Sequence, residues 1–318
     1  MGLEELAKRV ANTGRLGMSQ AIAEQLKLPS EDVARGQLMA MTEGGRGPLG
    51  VYLLAMYVVD DTDLIGAGEI YWWSIPVLLD SGGKARWGAS LGLPAGAAPH
   101  KCGSLEWMTN LPLEDLPLLA VIPEGDDASA CVLRLGVYDD DGQPANVAAA
   151  LAKGYETLAG CKRDGLPGAG QIVTPVREAI MKALVGQEDD VLLDEDVTIP
   201  CGQKGQLQVG FVASAISAKV RVYYVVVDEQ RTDTAGPIVL KKKGDSARLA
   251  FASSLERGGR VSIFARGADV RSEVFGTLSV EQPFAGKVLD AALAKQLDSG
   301  IEVTADGAAR VIAFYTPP

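Results

Sequence analysis

Residues 51–61 read VYLLAMYVVDD, nine largely apolar residues that run directly into two aspartates. The run is too short for an amphipathic helix, and its aromatic and β-branched side chains favour a buried strand. Residues 70–79, IYWWSIPVLL, form a second run of this kind beyond an acidic turn. Trp72 and Trp73 must point to opposite faces of that strand. One of them is therefore expected in the core, and the other is expected to be partly accessible or covered by helices.

Hydrophobic periodicity divides the rest of the chain into helical and strand-rich parts. Residues 3–43 carry helical spacing up to a glycine-rich break, and residues 144–187 carry it again. From residue 207 onward, short strands alternate with turn residues, and a last helix and a terminal strand follow. The sequence predicts a mainly β protein with two antiparallel sandwich-like units, an N-terminal helical segment and a helical hairpin insertion.

The predicted unit boundaries follow these changes of pattern. A helical preface occupies residues 1–45, and a first β-sandwich occupies residues 46–202 with the helical insertion at 144–187. A second β-sandwich, with a C-terminal helix and strand, occupies residues 203–318. A chain of 318 residues is long enough to give both units a proper core.

Charge and cysteine content exclude several classes of protein. A net charge of −11 argues against nucleic-acid binding and against unaided docking on anionic lipid, because both need a basic surface. The N-terminus lacks the pattern of a signal peptide, so a cytoplasmic location is predicted. The four cysteines are widely spaced, which fits free thiols better than a disulfide framework. They are Cys102, Cys131, Cys161 and Cys201.

The sequence shows no clear motif for a nucleophilic triad or a zinc site. The chain has a single histidine, His100, which lies only two residues from Cys102 in a region rich in glycine and proline. The members of a nucleophilic triad usually come from distant segments, and zinc sites usually show paired ligand spacing. The sequence therefore predicts no catalytic residue.

Acidic residues gather where the predicted strands end. Segments that begin at Asp63, Asp190 and Glu273 each read as an acid, apolar residues, a turn and a β-branched residue. Carboxylates crowded in this way repel one another unless a cation or solvent separates them, and calcium prefers such oxygen ligands. The alternative is a set of ordinary solvated loops. The predicted metal ligands are Asp60, Asp61, Asp63, Glu69, Asp139, Asp141, Asp189 and Asp190.

These segments resemble the calcium- and lipid-binding C-two domain of protein kinase C and synaptotagmin. The resemblance covers residues 51–200 and rests on the apolar strand before Asp60 and Asp61, and on the Glu69-Ile70-Tyr71 strand start. It also includes a later strand that ends in Asp-x-Asp at residues 139–141. It implies a β-sandwich that holds calcium in its loops.

The sequence departs from that family at several points. Glu69 stands where the family usually has aspartate, and Leu193 stands where glycine is expected. More than forty residues interrupt the second acidic loop. The resemblance therefore predicts the sandwich more directly than it predicts the complete ligand set.

The leading functional prediction is a noncatalytic binding or assembly module that responds to calcium and acts through a protein partner or self-association. One alternative is a metal-dependent enzyme that uses the same carboxylates. Another is a calcium-dependent membrane-binding protein in which Leu64 and Ile65 enter the lipid interface. Because the chain is acidic, membrane contact is expected only where calcium bridges the two surfaces.

Overall fold

The computed structural model describes residues 3–13, 16–42, 47–61, 66–86, 94–122, 129–141, 144–162, 164–184, 190–200 and 212–318. It is 44% strand and 24% helix, which confirms the predicted mainly β class with sandwich-like units. The helices are α1 (Leu3–Asn12), α2 (Gln20–Gln25), α3 (Glu31–Thr42), α4 (Pro144–Gly160), α5 (Gly170–Leu184) and α6 (Ala291–Leu297).

The strands of the amino-terminal part are β1 (Leu49–Val58), β2 (Gly68–Leu79), β3 (Ala85–Arg86), β4 (Ala95–Cys102), β5 (Glu106–Trp107), β6 (Leu118–Ile122), β7 (Ala130–Asp139), β8 (Asp164–Leu166), β9 (Asp190–Pro200), β10 (Val212–Ile216) and β11 (Val220–Asp228). Those of the carboxy-terminal part are β12 (Asp233–Leu240), β13 (Ser246–Leu249), β14 (Arg260–Gly267), β15 (Val270–Ser272), β16 (Gly276–Leu278), β17 (Phe284–Val288), β18 (Ile301–Ala305) and β19 (Ala309–Thr316).

Within the described residues these strands form four antiparallel sheets. Sheet A contains β10, β11, β1, β5 and β6, and sheet B contains β8, β3, β2, β7, β9 and β4. Sheet C contains β12, β19, β14 and β17, and sheet D contains β13, β18, β15 and β16. Sheets A and B share one hydrophobic core, and sheets C and D share another.

Alternation along β2 places its side chains in two different cores. Ile70 and Trp72 point toward sheet A, whereas Tyr71 and Trp73 pack beneath α2, α4 and α5 on the outer face of sheet B. Both tryptophans are buried. The helical insertion therefore covers the second face of the strand, which explains why the whole run is apolar.

Sheet A is also covered on both faces. The side chains of Val51 and Leu53 face sheet B, whereas Tyr52 and Leu54 face α1, α3 and the outer face of sheet C. The pairing register of β1 shifts between Leu53 and Ala55. This bulge moves the following residues by one position and restores the inward direction at Met56.

Strand pairing joins residues 212–228 to the first sandwich. β11 lies beside β1 along nearly its whole length, and β10 lies beside β11. The predicted unit that begins at residue 203 includes these residues, whereas their strands pair with β1 of the first sandwich. The physical reason is that the buried β1 strand needs hydrogen-bond partners on both edges. As a division into domains, the predicted boundaries stay a prediction.

A buried ion-pair group fastens the helical insertion to sheet B. Asp194 on β9 accepts hydrogen bonds from Arg134 on β7 and from Arg177 on α5. The Asp194 side chain is only 7% exposed, so it is held within the layer between sheet and helix.

In the described part of the chain, no helix is long and apolar enough to cross a bilayer.

Candidate functional site

Strand register brings several predicted metal ligands to one end of the first sandwich. Ile70 on β2 lies opposite Asp139 on β7, and Asp139 lies opposite Asp190 on β9. Glu69 precedes Ile70 and therefore lies at the same end. This arrangement is called the acidic end below, and it also includes Asp61, which follows β1.

Asp61 is held by a set of hydrogen bonds. Ser104 Oγ donates to Asp61 Oδ1 at 2.6 Å, and the Ser104 backbone N–H donates to Asp61 Oδ2 at 3.1 Å. The Gly68 N–H also donates to Asp61 Oδ2, at 3.3 Å, and the Asp61 N–H donates back to Ser104 Oγ. Asp61 is only 3% exposed, and its carboxylate joins the β1–β2 connection to the turn between β4 and β5.

Asp139 is buried against the same glycine. It is 1% exposed, and a Cβ atom on residue 68 would lie 2.4 Å from Asp139 Oδ2. That approach is closer than a real Cβ contact, so a side chain at position 68 would displace the Asp139 carboxylate. The carboxylates of Asp61 and Asp139 therefore both contact Gly68. The adjacent Asp140 is also buried, and its N–H donates to the Glu69 carbonyl at 3.0 Å.

The outer carboxylates of the acidic end face lysines. Lys101 Nζ lies 3.2 Å from Glu69 Oε1, and Lys219 Nζ lies 4.0 Å from Asp190 Oδ2. Asp60 and Asp141, by contrast, are exposed. The acidic end thus has a buried centre with three aspartates, Asp61, Asp139 and Asp140, and a partly neutralised rim.

The predicted ligands are only partly assembled in the structure. The described residues contain no group of three or more histidine, cysteine, aspartate or glutamate side chains close enough to share a metal ion. Asp63 and Asp189 lie outside the described residues, as do Leu64 and Ile65. The oxygen donors that are present suit a hard cation such as calcium. Calcium and the eight-residue ligand set stay predictions.

Sequence reasoning missed Ser104, Gly68 and Asp140 at the acidic end. Ser104 lies in a short turn far along the chain from Asp61, and no local pattern marks it as a partner. Gly68 reads as an ordinary turn residue, although its lack of a side chain makes room for Asp139. Asp140 stands in the middle of the Asp-x-Asp pattern and is not among the predicted ligands.

A second polar feature, also missed, lies between sheet A and sheet C. Tyr52 Oη donates to Glu229 Oε1 at 2.5 Å, and Glu229 is 2% exposed. Burial raises the pKa of Glu229 to about 7, while the hydrogen bond from Tyr52 and the charge of Arg9 act in the opposite direction. Burial, together with Glu229, also raises the pKa of Tyr52. The pair borders a cavity of about 240 Å³.

Comparison with known proteins adds no functional assignment. No protein-family model and no curated protein matches this chain. Solved structures of human GIVD cytosolic phospholipase A2 match with a TM-score of 0.26. One was solved with methyl gamma-linolenyl fluorophosphonate and terbium chloride and is 10% identical, and one was solved with the fluorophosphonate alone and is 11% identical. The match covers 85% of this chain but 32% of the phospholipase. At that TM-score, the similarity carries no argument.

Proposed function

We propose that the protein is a noncatalytic binding module whose acidic end takes up a divalent cation, with calcium preferred. The observation that supports this is the pair of buried carboxylates, Asp61 and Asp139, on either side of Gly68. Two ionised carboxylates in a buried setting are unfavourable unless protons, hydrogen-bond donors or a cation compensate them. Calcium adds that compensation through oxygen ligands alone.

The setting of these carboxylates favours calcium over magnesium. They come from loops at the ends of β1 and β7, where backbone carbonyls and water can complete a coordination shell of variable geometry. Magnesium demands a near-ideal octahedron and keeps more of its own water. Asp60, Asp63 and Asp141 belong to the same loops and are the proposed additional ligands, although the described carboxylates do not form a group of three around one point.

The proposed response to calcium is association with a protein partner or with a second copy of the chain. Cation uptake removes negative charge from an end of the sandwich that would otherwise repel other acidic surfaces.

Light scattering with calcium and with chelator measures self-association. Cosedimentation with phosphatidylserine vesicles tests the membrane alternative, and a preference for magnesium or manganese would favour the metal-dependent enzyme.

The central experiment is thermal unfolding in chelator and in calcium, magnesium or manganese. Calcium at about 100 times its dissociation constant is expected to stabilise the folded state by about 2.7 kcal/mol. Asp139→Asn should abolish the calcium effect.

Asp228→Asn is the matched control for that substitution. Asp228 is also buried, and its Oδ1 accepts hydrogen bonds from the Gln230 and Arg231 N–H groups, but it lies away from the acidic end. This control should lose stability in chelator and keep the calcium response. An unchanged midpoint in calcium, with Asp139→Asn destabilised in chelator, would show that Asp139 is a structural carboxylate and would overturn the proposal.

A further inference from the structure

Two arginines lie directly opposite each other on the outer face of sheet C. Arg266 on β14 pairs in register with Arg310 on β19, and Arg310 pairs in register with Val239 on β12. Like charges at directly opposed positions destabilise a sheet unless other groups compensate them. Each arginine reaches toward the segment that connects β5 to β6, so this face lies against the first sandwich.

The compensation differs sharply between the two arginines. Arg310 Nη1 lies 2.8 and 2.9 Å from the two carboxylate oxygens of Glu114. Arg266 Nη1 donates instead to the carbonyl oxygens of Leu111 and Met108. Within the described part of the chain, no carboxylate lies in ion-pair contact with Arg266, and its hydrogen bonds to Met108 and Leu111 come from Nη1. Arg266 is nevertheless only 7% exposed.

A buried guanidinium without a counter-ion is costly. Burial and the neighbouring Arg310 both lower the pKa of Arg266, against a smaller opposing effect of Glu114. A buried charge is normally paired, because removal from water costs several kcal/mol per ion in real proteins. The arrangement therefore leaves room for an anion that the chain itself does not contribute.

The space beside Arg266 is suited to such an anion. A groove of about 400 Å³ is lined by both arginines, by Lys241 and by the side chains of Trp107 and Val239. Lys241 is exposed at its rim. Three cationic side chains thus converge on one groove in a protein whose net charge is −11. Because the protein as a whole carries negative charge, its overall charge cannot explain anion binding in this groove.

We propose that this groove binds a small organic molecule through an oxyanion group, a carboxylate or a phosphate. The planar fork of Arg266 matches two oxygens of either group, and Lys241 adds a point charge at the rim. Trp107 and Val239 form an apolar wall for the carbon part of the molecule. The site is separate from the acidic end and does not depend on calcium.

The test is thermal unfolding of the full chain with inorganic phosphate or succinate, each up to about 10 mM, against sodium chloride at equal ionic strength. A saturable rise in midpoint is expected with at least one anion. Lys241→Gln should raise the dissociation constant about two- to fivefold, since it removes a rim charge. Lys243→Gln, an exposed lysine of the same turn outside the groove, should leave the constant unchanged.

Arg266→Lys gives a second, stronger variant. It keeps the charge but loses the fork, and the dissociation constant should rise more than about tenfold. A response to phosphate alone assigns a phosphate-bearing ligand, and a response to succinate alone assigns a carboxylate-bearing one. The proposal is overturned if neither anion exceeds chloride, or if Lys241→Gln and Lys243→Gln behave alike.

Discussion

Glu229 should make the stability of the protein fall as pH rises through neutrality. Its pKa of about 7 in the folded state stands above the ordinary value of 4.5, mainly because the side chain is buried beside Tyr52. Between these two values the folded protein holds a proton that the unfolded chain has already lost. The stabilising effect of protonation is therefore complete below about pH 4.5 and is lost as pH rises toward and past 7.

The magnitude follows from the two pKa values. At about 1.4 kcal/mol per pH unit, the difference between 4.5 and about 7 corresponds to about 3 kcal/mol. Glu229→Gln removes the ionisation while keeping an oxygen that accepts from Tyr52. The variant should therefore gain about 3 kcal/mol relative to the natural protein between about pH 4.5 and about pH 8.

The assay is urea unfolding of both proteins across that pH range, with the difference in unfolding free energy plotted against pH. Subtracting the two curves cancels every other titrating group that behaves alike in both. Glu302→Gln is the control, because Glu302 is exposed and pairs with Arg248 at the surface. A flat difference curve for Glu229→Gln would refute the argument that burial keeps this carboxyl protonated.

Two further substitutions test the packing of sheet B, and each is paired with a comparison variant. Gly136→Ala should destabilise folding by about 1–3 kcal/mol in urea unfolding, because its Cβ would lie 2.6 Å from the Trp73 ring. Gly36→Ala, on α3 with nothing within 4 Å of the new Cβ, should be neutral or stabilising. Asp194→Asn should lower the free energy of unfolding by about 3 kcal/mol in the same assay. The substitution removes the buried carboxylate that pairs with Arg134 and Arg177. Arg177→Met should cost less, because Arg177 is 40% exposed, and equal losses for the two variants would contradict this ranking.

Local patterns in the sequence were sufficient for the fold class. The alternation in residues 70–79 correctly separated Trp72 from Trp73, and helical spacing identified the insertion that covers Trp73. The start of α5 departs from the local helix-start signal in the sequence. Thr174 and Pro175 indicate a helix start, but the helix begins at Gly170 because the preceding turn buries Ile172 and Val173 against sheet B.

Long-range pairing was the part that the sequence could not reveal. The side chains of β11 alternate as in any strand, and nothing local states that its partner is β1, about 170 residues earlier. The acidic end shows the same limit. Strand-end carboxylates predicted that Glu69, Asp139 and Asp190 would meet, whereas the bond from Ser104 to Asp61 depends on how two distant loops close over each other.

Because both faces of sheet A are buried, neither sandwich can be isolated as a stable folded fragment. A chain cut after residue 228 would keep all of sheet A but expose to water the face that carries Tyr52, Leu54 and Val225. A chain that began at residue 233 would likewise expose Phe264 and Phe314. Neither fragment is therefore a self-sufficient building block that could be transplanted into another protein. Gene fusion or exchange would have to carry residues 3–318 together, because α1, α2 and α3 cover apolar faces of sheets A and B, and expression of either half alone should yield an aggregating product.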